Sequence, residues 1–585
     1  MVGRISLRFL GTSSAPNASR NYSSLLLNFD HRSVLIDCGE GTQRQLSSRQ
    51  IGGDAKLGNV QSIFITHLHQ DHVLGLVPLL TTLMGPGMAA SASDKKPSVE
   101  IYGPCGLRAL IRTTLTLCYT SLSGKYVVHE LLWPGQSATP YSPTETGSFV
   151  ESSDPMVAAI TPSPRTIPTL PAHEAELPGQ DLRLHEPSVS WPKFASIGGV
   201  VVSAAPILHR CPCVGYVFEE PATARPVAQE IVDRLDANGP ALLDQQGIRH
   251  PRSLLGRLQR DREPITLPDG FVLEPPPLDI PGRKLTILGD TFDASGGLNL
   301  DQDGAAGSGS VLKQGIVPLA MDSDVVVHEC TNAAMPPELT QGRKVETRDE
   351  VRAKALTRGH STPQVAGAFA GRIRARSLLL NHFSVRYPSA PAGFQPPAAR
   401  ARVTISSPPT GGVSAAPNGL ASLSSSAEGP GATDASSAAS VDASSDAAGP
   451  TVATSAPTGP PTPKMSEPER RYRVMRCIED QATETWLATL PASVLHELPG
   501  SSSGATTARA IATYDGFEYE VPSKRDGGEA GSLSGAGAGP SSGGPSGSRR
   551  GGGGPSGGRG RGRGGRGGAG QGARSRPSKT SLRQE

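Results

Sequence analysis

The chain has 585 residues, yet 69 are Gly, 53 are Pro and aromatic residues make up only 4%. This composition excludes a continuous core over the whole length and predicts one large folded domain interrupted by low-complexity stretches. Ser541 to Glu585 carries nine Arg and one Lys against one Glu, net +9, which leaves the first 540 residues at −6 within a whole-chain charge of +3. A basic tail on a mildly acidic body predicts an anionic partner for the tail. Seven cysteines, an odd number without a Cys-x-x-Cys pair, argue against a disulfide framework. They fit a reducing, intracellular setting, cytoplasm or nucleus. No apolar run is long enough to span a bilayer, so no membrane association is expected. The first residues lead straight into a strand pattern, so no targeting peptide is expected.

In chain order, Ile5 to Leu10 alternates like a strand and stops at Gly11. Tyr22 to Phe29 and Ser33 to Ile36 predict a hairpin around Asp30-His31. Val60 to Ile65 reads as a buried strand ending in Thr66-His67, residues 73–84 as a helix, and Val99 to Tyr102 as another strand closed by Gly103-Pro104. Residues 135–195 are rich in Pro, Ser, Thr and Glu and predict a low-complexity loop insertion. The strand pattern resumes at Gly198 to Ala204. Residues 219–282 show little period and suit a projecting arm. Lys284 to Leu288 and Asp324 to Val327 read as short buried strands, and 362–381 as a helix followed by the strand Ser377 to Asn381. Residues 389–468 have the composition of a disordered insertion, 469–522 of returning order with a last strand at Ala512 to Pro522, and 523–585 of a disordered tail. Strands alternating with helices predict an α/β sheet sandwich covered by helices.

The densest chemistry is His67-Leu68-His69-Gln70-Asp71-His72, three imidazoles and a carboxylate just after a strand. His67 and His69 share a side of an extended turn, while Asp71 and His72 point to a second position nearby. One segment can therefore serve two adjacent zinc ions. With only 13 His in the chain, a merely polar loop is a poor explanation. Further ligands must come from other strand ends, where His209, Asp290 and His382 stand, with Asp290 able to bridge. Asp71 can also act as a general base towards an attacking water. For the proton donor to a leaving oxygen the residues offer His360 and Glu329. His360 next to Ser361-Thr362-Pro363 reads equally well as part of a helix start, and Glu329 as a paired strand-end carboxylate. Cys211 and Cys213 follow His209 but read as packed free cysteines.

Taken together, these stretches resemble the metallo-β-lactamase superfamily and, within it, the tRNase Z family. The resemblance rests on Phe9-Leu10-Gly11-Thr12, Asp37-Cys38-Gly39-Glu40-Gly41-Thr42-Gln43-Arg44-Gln45-Leu46, Phe64 to His69, Ile101-Tyr102-Gly103-Pro104, Gly215-Tyr216, Gly289-Asp290-Thr291, His360-Ser361-Thr362 and Asn381-His382-Phe383-Ser384, in the family's order. It implies an αββα sandwich over 1–388 with an exosite arm at about 219–282. It further implies closing elements of the same domain in 469–522. The positions matching His67, His69 and His209 would hold one zinc, and those matching Asp71, His72 and His382 the other. Asp290 would bridge them, Asp71 would be the base, and Glu329 with His360 the proton-donating pair. The implied reaction is removal of the 3′ trailer of precursor tRNA, leaving a 3′-hydroxyl, by a short-form homodimer with two zinc ions per subunit. In the arm, Arg249, Arg252, Arg257, Arg260 and Arg262 would meet tRNA phosphates. Two departures stand out: Gln70 replaces the usual small residue, and Ala18 stands where part of the family has Lys in Pro-x-Lys-x-Arg-Asn. The competing expectations are another phosphodiesterase or hydrolase of the same superfamily, or a catalytically idle RNA-binding protein. The run Arg559-Gly560-Arg561-Gly562-Arg563 suits auxiliary RNA contact by the tail.

Overall fold

The computed structural model describes residues 3–29, 32–85, 98–137, 147–148, 166–167, 170–225, 227–295, 314–391, 394, 465–496, 498 and 506–524. Strands whose residues are almost all apolar and buried, such as Ile5–Gly11, Val325–Glu329 and Leu378–Asn381, must be covered on both faces. The fold meets this demand with two mixed sheets packed face to face and helices outside each. The first sheet runs Asp181–Arg183, Lys125–Leu132, Ser98–Pro104, Val60–Phe64, Arg32–Ile36, Ser24–Phe29, Ile5–Gly11, Glu518–Val521, with Glu176–Leu177 also on Lys125–Leu132. The second runs Trp191–Ile197, Val200–Ile207, Cys213–Glu219, Lys284–Leu288, Val325–Glu329, Leu378–Asn381, Ile511–Ala512. Between the sheets lies one apolar layer built on Phe9, Phe64, Tyr216, Phe218, Ile287 and Val327. Phe64 meets Tyr216 and Phe218 edge-on, with centroids 5.2 and 5.4 Å apart, the favoured aromatic geometry. A second layer packs the first sheet on helices Leu76–Met84 and Leu107–Leu117. A third packs the second sheet on Pro363–Arg372 and Glu467–Thr489. The result is the αββα sandwich that the resemblance implies.

The sandwich turns its functional edge the same way from both sheets. Arg32–Ile36 runs parallel to Val60–Phe64 in the first sheet, and Lys284–Leu288, Val325–Glu329 and Leu378–Asn381 run parallel in the second, so within each sheet their carboxyl ends line up. Crevices at such ends are where open α/β sheets bind ligands. Helices Pro363–Arg372 and Glu467–Thr489 cross closely because the first presents Gly367 and Gly371 to the second. A Cβ on Gly367 would lie 2.3 Å from the Ala482 carbonyl oxygen, and one on Gly371 only 1.8 Å from Thr489 Oγ1.

Three expectations are revised. Within 135–195, the stretch from 170 is not loop. Glu176–Leu177 and Asp181–Arg183 extend the first sheet, and Trp191–Ile197 begins the second, with Trp191 buried against Trp133 at 4.9 Å. Composition hid these strands because they are short and stand among Pro and Glu. The arm is more regular than its sequence suggests: helices Gln229–Ala237, Gly239–Gln246 and Ser253–Asp261 and the ladder Ile265–Thr266 with Val272–Leu273 enclose a separate core of Leu235, Leu242, Leu254, Leu258, Leu267 and Leu273. The last strand is two strands, Ile511–Ala512 on the second sheet and Glu518–Val521 beside Ile5–Gly11 on the first, so the chain's end ties both sheets. Nearly all of 389–468, and the tail from 525 including Arg559 to Arg566, lie outside the described residues. Among the described residues no helix is long and apolar enough to cross a membrane.

The close helix crossing yields a test. Gly367→Val forces its side chain onto backbone and is expected to cost about 1–3 kcal/mol, read as a lower thermal midpoint. Val365→Ala, on the same helix, provides the comparison.

Candidate metal centre

The site begins with an acceptor, Asp37, at the end of Arg32–Ile36 in the left-handed region (φ 58°). Its carboxylate accepts from the Thr66 N–H at 2.7 Å, from Thr66 Oγ1 at 2.8 Å and from His72 Nδ1 at 2.7 Å. This ties the ends of two neighbouring strands and orients the segment that follows. Thr66 Oγ1 in turn accepts from His67 Nδ1 at 3.0 Å. His209 Nδ1 donates to the Gly359 carbonyl at 2.6 Å. Thr331 Oγ1 is 3.0 Å from His382 Nδ1 and donates to Glu329 Oε2 at 2.7 Å. His67, His72, His209 and His382 thus have their Nδ1 atoms placed by partners and their Nε2 atoms turned to the centre, whereas His69 turns its Nδ1 there.

Those nitrogens converge. His67 Nε2 and His209 Nε2 each lie 3.1 Å from His69 Nδ1. His72 Nε2 lies 3.2 Å from His382 Nε2, and Asp71 Oδ2 is 3.3 Å from His382 Nε2. Asp290, 2% exposed, touches both groups: its oxygens are 3.8 Å from His67, 3.4 Å from His72 and 3.2 Å from His382 Nε2. Two donor groups therefore stand side by side. One is His67, His69, His209 with Cys211, and the other Asp71, His72, Asp290, His382; the donor atoms within each lie within 4.8 Å of one another. Imidazole and carboxylate donors in such a cluster fit a borderline divalent ion.

Charge says the same. Burial opposes ionisation of Asp290, yet the imidazoles of His382 and His72 hold it well below the usual carboxylate range. Burial also opposes a charge on His72, but Asp290 and Asp37 raise it well above the ordinary histidine range. Burial keeps His67 well below that range, helped by the neighbouring His72. The buried carboxylates ask for positive charge, and bare lone pairs are available to bind it. Beside the cluster, burial would lower His360, but Glu329, 3.1 Å away, and Asp290 raise it to about 9. Glu329 is held by the N–H groups of Thr291 and Ser361 at 3.1 and 3.0 Å.

All seven expected ligands, with Glu329 and His360, therefore meet at one edge. The arm arginines do not join them. Arg252 is bound by Asp236 at 2.5 Å, Arg260 by its neighbour Asp261 at 3.1 Å, and Arg262 donates to the Pro276 carbonyl at 2.7 Å. Among the described residues Arg249 and Arg257 form no ion pair. Gln70 is exposed at the start of a short helix. Ala18 is exposed at the tip of a turn closed by Asn17 and Arg20. Arg20 is buried and donates to Thr12 Oγ1 and the carbonyls of Thr513 and Tyr387. Sequence reasoning missed two contributors, Asp37 and Thr331. Asp37 stood in a quoted motif at a strand end, whereas Thr331 carried no signal. Cys211 was set aside as a packed cysteine; that fits Cys213, which is buried in the core, but Cys211 is half-buried and belongs to no apolar cluster.

The first residues match a family model for anti-Pycsar protein Apyc1 over 5–84. Zinc phosphodiesterase ELAC protein 1 of Homo sapiens is 32% identical over 384 residues, covering 65% of this chain and 86% of the human protein. The chain belongs to this ribonuclease Z family. Ribonuclease BN of Cronobacter sakazakii is 30% identical, covering 65% of this chain and 90% of the relative. Ribonuclease Z of Microcystis aeruginosa is 28% identical, covering 65% and 85%. Among solved structures, human tRNase Z, short form, is similar at 27% identity over 65% of this chain and 93% of that one, with a TM-score of 0.36. The donor clusters on this sandwich fit a metal ion.

Asp37→Ala leaves the Thr66 donors and His72 Nδ1 without their acceptor. The expected cost is about 1–3 kcal/mol in stability and roughly 10–100-fold in metal affinity, read by thermal melting and by metal retained after dialysis. Unchanged metal retention would refute an orienting role for Asp37.

Proposed function

We propose that this protein is an endoribonuclease that removes the 3′ trailer of precursor tRNA, with two zinc ions per subunit and a homodimer as the working form. The observation that carries the reading is the shared carboxylate: Asp290 stands between a three-histidine group and an Asp71-His72-His382 group. His67, His69 and His209 would hold one ion, Asp71, His72 and His382 the other, and Asp290 both. When bound, such a pair neutralises phosphodiester charge and lowers the pKa of water to about 7.

The chain's own groups then divide the proton transfers. Asp71, 16% exposed at the mouth of the site, orients the attacking water and takes its proton. As the water oxygen bonds to phosphorus, the bond from phosphorus to the upstream 3′-oxygen breaks. His360, protonated at neutral pH and held by Glu329, delivers a proton to that oxygen. The products are a 3′-hydroxyl on the tRNA and a 5′-phosphate on the trailer. Family membership supports the RNA substrate, since relatives bear the names ribonuclease Z and ribonuclease BN. In the arm, Arg249 and Arg257 are the better phosphate contacts, because Arg252 and Arg260 already face carboxylates. The RGG tail, Arg559 to Arg566, would add RNA contacts without sequence reading.

A labelled precursor tRNA with a 3′ trailer is expected to be cut just after the discriminator base. Asp71→Ala should slow the cut by about 10²–10⁴-fold. No cut, with turnover of a generic phosphodiester intact, would move the protein to another phosphodiesterase branch. No bound zinc and no cleavage, with RNA binding intact, would point instead to an idle RNA-binding protein. Because His360 acts protonated, its contribution is present at neutral pH and lost as pH rises through about 9. kcat is expected to fall on that limb, and His360→Asn should remove the limb. Arg249→Ala or Arg257→Ala should each weaken tRNA binding and lower the salt slope by about 1, whereas Arg260→Ala should leave the slope unchanged.

A further inference from the structure

Cys211 is, among the described residues, a possible metal donor at the centre that the proposed reaction does not use. Its thiol is grouped with donor nitrogens of His67, His69 and His209, all within 4.8 Å of one another. It follows His209 by two residues in a bend after Val200–Ile207. Unlike Cys213 and Cys330, which pack in the core of the second sheet, and Cys38, which packs under the first, it fills no apolar gap. A half-buried thiol outside every apolar cluster and beside three bare imidazoles has a ligand's surroundings.

We propose that Cys211 is a sulfur ligand to the ion held by His67, His69, His209 and the shared Asp290, adding one sulfur to the three nitrogens and one carboxylate of that position. The inference rests on the metal-centre reading above. Binding replaces the S–H bond by a metal–sulfur bond, and the proton leaves to solvent. A thiolate favours soft and borderline ions such as Cd²⁺ and Zn²⁺ over Mn²⁺, so the position would be selective among metals. The second position, whose donors are nitrogen and oxygen only, would take harder ions. The two positions should then differ in which metal they keep.

The test is optical and independent of turnover. The full chain is stripped of metal and loaded with Co²⁺. Wild type is expected to show a near-ultraviolet sulfur-to-cobalt charge-transfer band, with Cys211→Ser losing it while still binding Co²⁺. Cys213→Ala should keep the band. Cd²⁺ affinity of Cys211→Ser should fall by on the order of tenfold or more, and Mn²⁺ affinity should not. If the Ser variant does not fold, X-ray absorption on zinc-loaded wild type answers instead, where one sulfur per two zinc ions at about 2.3 Å is expected. Co²⁺ bound without the band, a band surviving in Cys211→Ser, or a zinc shell of nitrogen and oxygen alone would overturn the proposal and leave the metal centre standing. No Co²⁺ bound at all would overturn the metal-centre reading with it.

Discussion

The site depends on a single buried carboxylate. Asp37 accepts the backbone N–H and the hydroxyl of Thr66 and the Nδ1 proton of His72. With these contacts it joins two parallel strand ends of the first sheet to the metal-facing segment. Without it, the Thr66 hydroxyl that faces His67 Nδ1 has no acceptor to orient it, and His72 is free to turn its other nitrogen to the centre. Donor atoms must be held to within a fraction of an ångström for a metal site to work, and a chain of hydrogen bonds starting at Asp37 supplies that restraint.

The second sheet supplies the opposing half by similar means. His209, Asp290 and His382 each follow a strand, and their positions are set by Gly359, by the sheet, and by Thr331. His382 is itself left-handed (φ 56°), a conformation that costs a non-Gly residue roughly 1–2 kcal/mol. The backbone just after it is pinned by the Phe383 N–H on the Thr12 carbonyl. That bond links the two sheets across the site. Strain of this kind persists where surrounding structure over-determines it, as it does at functional sites.

Much of this could be read from residues in order. The ligand segment was legible because three histidines in six residues have few uses; His209, Asp290 and His382, each weak alone, were legible together because all three stand where a buried strand meets a loop. Glu329 and His360 could not be assigned from residues alone, since a helix start or a paired carboxylate explains them equally well; only the 3.1 Å contact between them brings them together. Thr331 was invisible because a threonine after a strand has no distinguishing pattern. The strands at 176–183 were hidden by their shortness, and the arm's core because leucines spread over three short helices show no single period. Cys211 could not be placed from the sequence, because a cysteine's surroundings depend on the bend after His209, which sets it beside His67 and His69.

The central claim is that two donor groups share Asp290. It is tested most directly by counting metal: the purified chain is loaded with zinc, freed of excess by gel filtration, and its zinc-to-protein ratio determined by mass spectrometry of the elements. The account expects about two ions per chain, falling in Asp290→Ala. A ratio of one that Asp290→Ala does not change, or no retained zinc at all, would contradict it.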